Sequence, residues 1–293
     1  MSSLIAVWAI TVPGPVLSAP GPTPAAIHKD VVYTSPGGHD LSLDVYVSPQ
    51  ASERPTPVLV YFHGGAWWKG ARPENWKGFS SYLSAGFSVV TVGYRLAGVA
   101  RAPAAVQDAR CALDWVGENA EIYGFDPDRI VLMGTSAGGH LALMAGMLTE
   151  DDQLDPPGCS GPPRPAAILN YYGPADLDIR TPAGARHPSV ARWIGDGPGA
   201  AALQRKLSPK NHVRAGLPPI FIVHGDADPV VPVEGSIRFK KSLDAAKAPS
   251  ALYVVSGGGH GRFQPDHQQE VERRVLAFLR SHMVLTEPEA PGS

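Results

Sequence analysis

A glycine-flanked serine between a strand-like run and a helix-like run constrains this chain more than any other segment. The sequence Gly134-Thr135-Ser136-Ala137-Gly138 follows the β-type run at 129–133 and precedes a run of small and apolar residues at 141–145. A sharp strand-to-helix turn strains the serine backbone and leaves room only for glycine two residues to either side. The helix that follows directs its positive end at the serine. The pattern predicts an exposed, reactive side chain at Ser136.

A second glycine turn, His63-Gly64-Gly65-Ala66-Trp67-Trp68, follows another apolar run at 58–62. Bare glycine amides can approach an oxygen on which negative charge develops. One preorganised donor of this kind contributes roughly 2.7–4 kcal/mol to lowering a reaction barrier. The turn therefore predicts a loop whose amides stabilise an oxyanion, and His63 is expected to brace that loop.

An acid and a histidine follow the serine in the order that a Ser-Asp-His relay requires on such a scaffold. A buried-strand pattern at 219–223 leads into His224-Gly225-Asp226-Ala227-Asp228, and another at 251–255 leads to His260. In such a relay the histidine takes the serine proton, and a buried carboxylate orients and stabilises the imidazolium.

Other residues of the right type compete for these two roles. The His-Gly-x-x-Asp spacing favours Asp228 over Asp226 as the acid, and Asp176 is a weaker alternative that more simply braces the next segment. His224 precedes a glycine at a strand end, which is typical of a structural side chain.

Taken together, the four motifs resemble the α/β-hydrolase superfamily, from about Val31 to His282. The resemblance is to the esterase/lipase branch, which includes hormone-sensitive-lipase-like, feruloyl-esterase-like and kynurenine-formamidase-like enzymes. It implies that Ser136 is the nucleophile, Asp228 the acid and His260 the base. It also implies an oxyanion hole formed by the amides of Gly64, Gly65 and Ala137.

One departure from the lipase-like branch bears on the substrate. That branch usually has a third glycine where this chain has Ala66, and the following Trp67 fits the feruloyl-esterase-like and formamidase-like groups. Trp67 and Trp68 are expected to line the substrate cleft. A bulky lipid substrate is therefore disfavoured.

The hydrophobic patterns predict an α/β-hydrolase fold, a mostly parallel sheet of about eight strands with helices on both faces. Period-two runs at 31–34 and 41–47 predict an antiparallel hairpin at one edge. We expect an amino-terminal extension at 1–28, one domain at 29–285 and a flexible tail at 286–293. The domain includes an insertion at about 174–214, for which a pocket wall and an ordinary surface excursion are equally favoured.

The composition and the short motifs of the chain limit the kinds of partner and cofactor that we expect. A net charge of −2 gives no long-range attraction to nucleic acid. The apolar run at 4–12 is too short to span a bilayer, and although its length suits a signal peptide, no Lys or Arg precedes it, so cytoplasmic and secreted locations both stay open. We find no metal or cofactor motif and expect neither. Pairing of Cys111 with Cys159 and the oligomeric state are left open.

These features predict a serine carboxylesterase that cleaves short-chain or aryl esters, small or linked to a polymer, through an acyl-enzyme. An amidase or formamidase of the same fold is the enzymatic alternative. A non-catalytic ligand-binding protein on this fold is the alternative from another class, since fold alone does not establish activity.

Overall fold

A computed structural model describes residues 22–159, 161–180 and 184–285 of the 293-residue chain. Its described part contains one eight-stranded sheet with the strand order β1-β2-β4-β3-β5-β6-β7-β8. The strands are β1 (Ala26–Thr34), β2 (Leu41–Val47), β3 (Thr56–Phe62), β4 (Ser88–Val92), β5 (Phe125–Thr135), β6 (Ala167–Tyr171), β7 (Ile220–Gly225) and β8 (Ser250–Val255). The pairings β1–β2 and β2–β4 are antiparallel, and the pairings from β4 to β8 are parallel.

Helices cover both faces of this sheet, which confirms the predicted fold class. They are α1 (Ser80–Ser84), α2 (Ala104–Glu118), α3 (Ala120–Tyr123), α4 (Ala137–Met147), α5 (Pro188–Ile194), α6 (Ala200–Lys206), α7 (Val233–Ala245) and α8 (Pro265–Ser281). Successive strand side chains alternate between the faces. In β3, Val58 and Val60 therefore join the core that contains α2 and α4, whereas Leu59 joins the core that contains α1 and α8. Burial on both faces explains why the parallel strands read as continuous apolar runs.

The first strand begins earlier than the sequence indicates. Residues 26–28, which the sequence analysis assigned to the extension, belong to β1 and pair with β2. Their neighbours Lys29 and Asp30 are polar, and a register shift between His28 and Val31 interrupts the alternation that would mark a strand. Lys29 is held instead by an ion pair of 2.8 Å with Asp44. The predicted extension up to residue 21 and the predicted tail lie outside the described residues.

The insertion between β6 and β7 packs onto the core instead of running over the surface. It carries α5 and α6, and its side chains Leu177, Trp193 and Leu207 are fully buried. A disulfide joins Cys111 of α2 to Cys159, which settles the pairing that the sequence left open. Of the helices described, none is long and apolar enough to cross a membrane.

Candidate active site

The turn after β5 has the strained geometry that its glycines predict. Ser136 has a φ of 54° and a ψ of −120°, and its amide donates to the carbonyl of Tyr171 at 2.9 Å. A Cβ on Gly134 would lie 2.1 Å from the carbonyl oxygen of Gly138, and one on Gly138 would lie 2.0 Å from that of Phe62. Both glycines are therefore required by close backbone contact, and the serine stands at the carboxyl edge of the sheet.

Three side chains from separate strands meet at this edge. The hydroxyl of Ser136 lies 2.8 Å from His260 Nε2, and His260 Nδ1 lies 2.7 Å from Asp228 Oδ2. A parallel sheet brings the carboxyl ends of its strands to one edge, so residues after β5, β7 and β8 become neighbours. With its Nδ1–H donating to Asp228, the imidazole presents Nε2 as an acceptor to the serine hydroxyl.

Asp228 is held as a carboxylate by its surroundings. Burial favours its neutral form, but hydrogen bonds from His224 and His260 and from the amides of Val231 and Val230 outweigh it and hold its pKa well below the usual range. The two amides donate to Oδ1 at 2.9 and 2.8 Å, which leaves Oδ2 to the histidines. A side chain with no exposed surface thus carries a fixed negative charge beside His260.

The competing residues lie elsewhere or serve other contacts. His224 Nε2–H donates to the carbonyl of Val231 at 2.8 Å and lies 3.3 Å from Asp228 Oδ2. His224 therefore stabilises the Asp228 carboxylate. Asp226 accepts from the amide of Gly257 at 2.6 Å, and Asp176 pairs with Lys210 at 2.7 Å. None of the three contacts Ser136 through a hydrogen bond in the described part of the chain.

The loop after β3 lies directly against the serine turn. Phe62 pairs with Gly134 across β3 and β5, and a Cβ on Gly64 would lie 3.5 Å from Ser136 Cβ. Within the described ranges, the amides of Gly64, Gly65 and Ala137 donate to no protein acceptor. Amide donors without a protein partner beside a serine hydroxyl are the kind of group that stabilises an oxyanion in acyl transfer.

The backbone of this loop is strained. Gly65, Ala66 and Trp67 have φ values of 125°, 55° and 62°, and left-handed geometry is rare for a residue as bulky as tryptophan. A Cβ at Gly65 would lie 1.8 Å from the carbonyl oxygen of Lys69. The ring of His63 stacks on Tyr94 at 4.3 Å, so it braces the loop, as expected from the sequence.

A small pocket opens beside the serine. Its apolar wall combines Trp67 of the loop after β3 with Val231 after β7 and with insertion residues. The insertion also adds two polar side chains, His187 and Ser189. The further insertion residues that line it are Pro174, Ile179 and Val190. The insertion is therefore a pocket wall, one of the two interpretations that the sequence allowed.

The two tryptophans do not share this pocket, contrary to the sequence interpretation. The side chain of Trp67 is buried and lines it, whereas Trp68 is 40% exposed and lies under the Arg192 guanidinium, 4.2 Å from the ring centre. Trp67 turns inward because it finds aromatic partners there. Trp68 stays at the surface, where a cation–π contact covers one of its faces.

Sequence reasoning missed Tyr172, which directly follows β6. Its φ is 43°, and its ring lies edge-on to that of His260 with 4.8 Å between ring centres. Burial raises the pKa of its hydroxyl well above the usual range. The position after a parallel strand was the available signal, but the contact depends on a backbone conformation that no motif encodes. Among the residues described, no cluster of His, Cys, Asp or Glu is arranged to hold a metal ion.

This fold and this site define the chain as an α/β hydrolase of the esterase type. The pattern of the BD-FAE family matches residues 43–243, more than half of the chain, and the chain belongs to that family of α/β-hydrolase esterases. The matched segment contains the loop after β3, the serine turn and Asp228, and it ends before His260.

Several known proteins of similar sequence or structure are named as esterases. Esterase LipQ of Mycobacterium tuberculosis (strain ATCC 25618 / H37Rv) is 33% identical over 269 residues, which cover 89% of this chain and 60% of that protein. The chain spans about half to three fifths of the length of such mycobacterial relatives.

Two solved structures are matched by this chain over nearly their whole length. A truncated carbohydrate esterase from gut microbiota has a TM-score of 0.72 and 28% identity, covering 90% of this chain and 99% of its own. Esterase 2 of Thermogutta terrifontis, phosphoramylated by tabun, has a TM-score of 0.74 and 27% identity, covering 91% and 98%. The same esterase has been solved with propionate bound.

Proposed function

We propose that the protein is a serine carboxylesterase in which Ser136 is the nucleophile, His260 the base and Asp228 the acid. The observation that carries this proposal is the continuous chain of hydrogen-bond distances, 2.8 Å from Ser136 to His260 and 2.7 Å from His260 to Asp228. A hydroxyl, an acceptor imidazole nitrogen and a fixed carboxylate in this order are the parts that acyl transfer requires.

The proposed reaction has two halves. The Ser136 oxygen attacks the ester carbonyl while its proton passes to His260 Nε2, and the charge of Asp228 stabilises the imidazolium that forms. The carbonyl oxygen becomes an oxyanion within reach of the amides of Gly64, Gly65 and Ala137. The imidazolium then protonates the departing alcohol, and water releases the acid from the acyl-enzyme by the same route.

The size of the pocket supports short-chain or aryl esters as substrates. The pocket is small, and Trp67, Val190 and Val231 form its apolar wall. The polar side chains of His187 and Ser189 provide contacts for an oxygen atom of the substrate. An open rim is also compatible with acyl groups displayed on a polymer.

A fluorophosphonate probe tests the nucleophile directly. Intact-mass and peptide analysis of the treated protein is expected to give one adduct, on Ser136, and none in Ser136→Ala. Absence of an adduct on folded protein, or an adduct on another serine, would refute the assignment.

A panel of 4-nitrophenyl esters from acetyl to lauroyl, with matching anilides, tests the substrate class. Acetyl or butyryl esters are expected to have the highest kcat/KM. Faster hydrolysis of the lauroyl ester would exclude the short-chain proposal, and faster hydrolysis of the anilides would favour the amidase alternative.

A further inference from the structure

Three aromatic rings connect the loop after β3 to the insertion and to α4, the helix that follows Ser136. We call this loop, residues 63–68, the oxyanion loop. The indole of Trp67 stacks on that of Trp193 in α5, with ring centres 4.6 Å apart and 8° between the planes. The ring of His140 in α4 stands edge-on to both, at 5.1 and 5.3 Å. We call these three residues the aromatic bridge, and all three are buried.

Hydrogen bonds give the aromatic bridge a single arrangement. Trp67 Nε1–H donates to His140 Nδ1 at 3.2 Å, and His140 Nε2–H donates to the carbonyl of Leu207 at 2.7 Å. The amide of His140 donates to the carbonyl of Ser136 at 3.1 Å. The imidazole is therefore a neutral acceptor for the indole, and one residue contacts the oxyanion loop, the serine turn and the insertion together.

The strain of the oxyanion loop explains why such a connection is needed. Ala66 and Trp67 are left-handed without being glycine, and such geometry persists only where the surrounding structure imposes it. The amide of Ala97 donates to the carbonyl of Trp67 at 2.8 Å, and the amides of Trp68 and Lys69 donate to the carbonyl of Gly65 at 3.2 and 3.1 Å. The packing of its indole adds a further constraint on the end of the loop.

The aromatic bridge contains one unfavourable contribution to stability, a buried polar group without a hydrogen bond. Trp193 Nε1 is buried with no hydrogen-bond partner in the described part of the chain. An unsatisfied buried donor costs free energy, which the burial and stacking of the indole offset. Neither Trp193 nor His140 lines the pocket beside the serine, which separates their role from contact with substrate.

We infer that Trp193 and His140 are positioning residues that hold Trp67, and through it the amides of Gly64 and Gly65, in the geometry that stabilises the oxyanion. The inference rests on the proposed function. It assigns to the insertion a part in the chemical step, beyond its part in the pocket wall.

Steady-state kinetics with 4-nitrophenyl acetate test this role in Trp193→Leu and His140→Phe. Because the loop amides act in the transition state, each variant is expected to lose about 10- to 100-fold in kcat, with KM changed by less than about threefold. The affinity of an alkyl trifluoromethyl ketone, whose adduct with Ser136 carries an oxyanion, is expected to fall by a similar factor. Trp193→Phe retains a ring and serves if Trp193→Leu does not fold; its loss in kcat is expected to be smaller.

Phe87→Leu is the matched control, because Phe87 is fully buried in the core on the opposite face. It is expected to lower the Tm as Trp193→Leu does and to keep kcat within about twofold. Trp193 variants with wild-type kcat, or with a raised KM alone, would overturn the inference while leaving the proposed function standing. A wild-type protein that hydrolyses no ester would overturn both.

Discussion

His140 makes stability depend on pH in a way that can be worked out from its burial. Burial lowers its pKa to about 4, against 6.5 for the free side chain, because a charged imidazole would lose its hydration and meet the indole N–H of Trp67 as a second donor. Between these two pKa values the unfolded chain binds the proton and the folded chain does not. Stability is therefore complete above about pH 6.5 and falls as the pH drops towards 4.

The magnitude follows from the two pKa values. From pH 8 to pH 4.5, linkage removes about 2.5 kcal/mol of the free energy of unfolding through this side chain alone. Urea unfolding of the wild type and of His140→Phe at both pH values measures the contribution of His140 to the free energy of unfolding, because the variant lacks the titrating group. The difference in free energy of unfolding between pH 8 and pH 4.5 is expected to be smaller in the variant by about that amount.

Other groups titrate in this range, and the comparison cancels them. His63 also has a pKa lowered by burial and is present in both proteins. Phe87→Leu, which loses core packing and keeps His140, is expected to show the wild-type pH dependence. Equal losses in the wild type and His140→Phe would refute the claim that His140 is neutral in the folded protein.

Three further predictions concern the acid, one helix and the disulfide. Asp228→Asn is expected to lower kcat for 4-nitrophenyl acetate by about 10⁴-fold with little change in KM, whereas Asp226→Asn keeps kcat within about threefold. Gly235→Ala places a methyl group in open space within α7 and is expected to raise the free energy of unfolding by about 0.5–1 kcal/mol in urea titrations. Replacing Cys111 and Cys159 by Ala removes a link across 48 residues and is expected to cost about 4 kcal/mol, measured against the oxidised wild type. A decrease for Gly235→Ala, or an unchanged stability without the disulfide, would contradict the reasoning.

The residues at the strand ends show which parts of the fold and site local sequence can predict. Apolar runs at 58–62, 129–133, 219–223 and 251–255 indicated buried strands. The chain order after Ser136 indicated which acid and which histidine come next. These features could be predicted because each depends on residues close together in the sequence. At Gly134 a glycine avoids a backbone clash, and a strand buried on both faces has a continuous apolar run.

The position of the first strand and the environment of Trp68 could not be predicted in this way. Lys29 and Asp30 lie in an edge strand because the Asp44 carboxylate accepts from the Lys29 ammonium group and from the Asp30 amide, and that carboxylate belongs to the next strand. Trp68 and Trp67 have similar local signals, yet one is exposed over Arg192 and the other is buried. The difference depends on which distant surface each side chain reaches.

The sequence by itself determined the fold class and the identity of the residues that the site brings together, because a nucleophile turn and a glycine loop are local steric solutions with few alternatives. The tertiary structure alone decided the distances from Ser136 to His260 and from there to Asp228. It also decided that the insertion lines the pocket and that Trp193 stacks on Trp67. These depend on packing between segments far apart in the chain, where the energy of each contact is set by its partner and not by its neighbours in sequence.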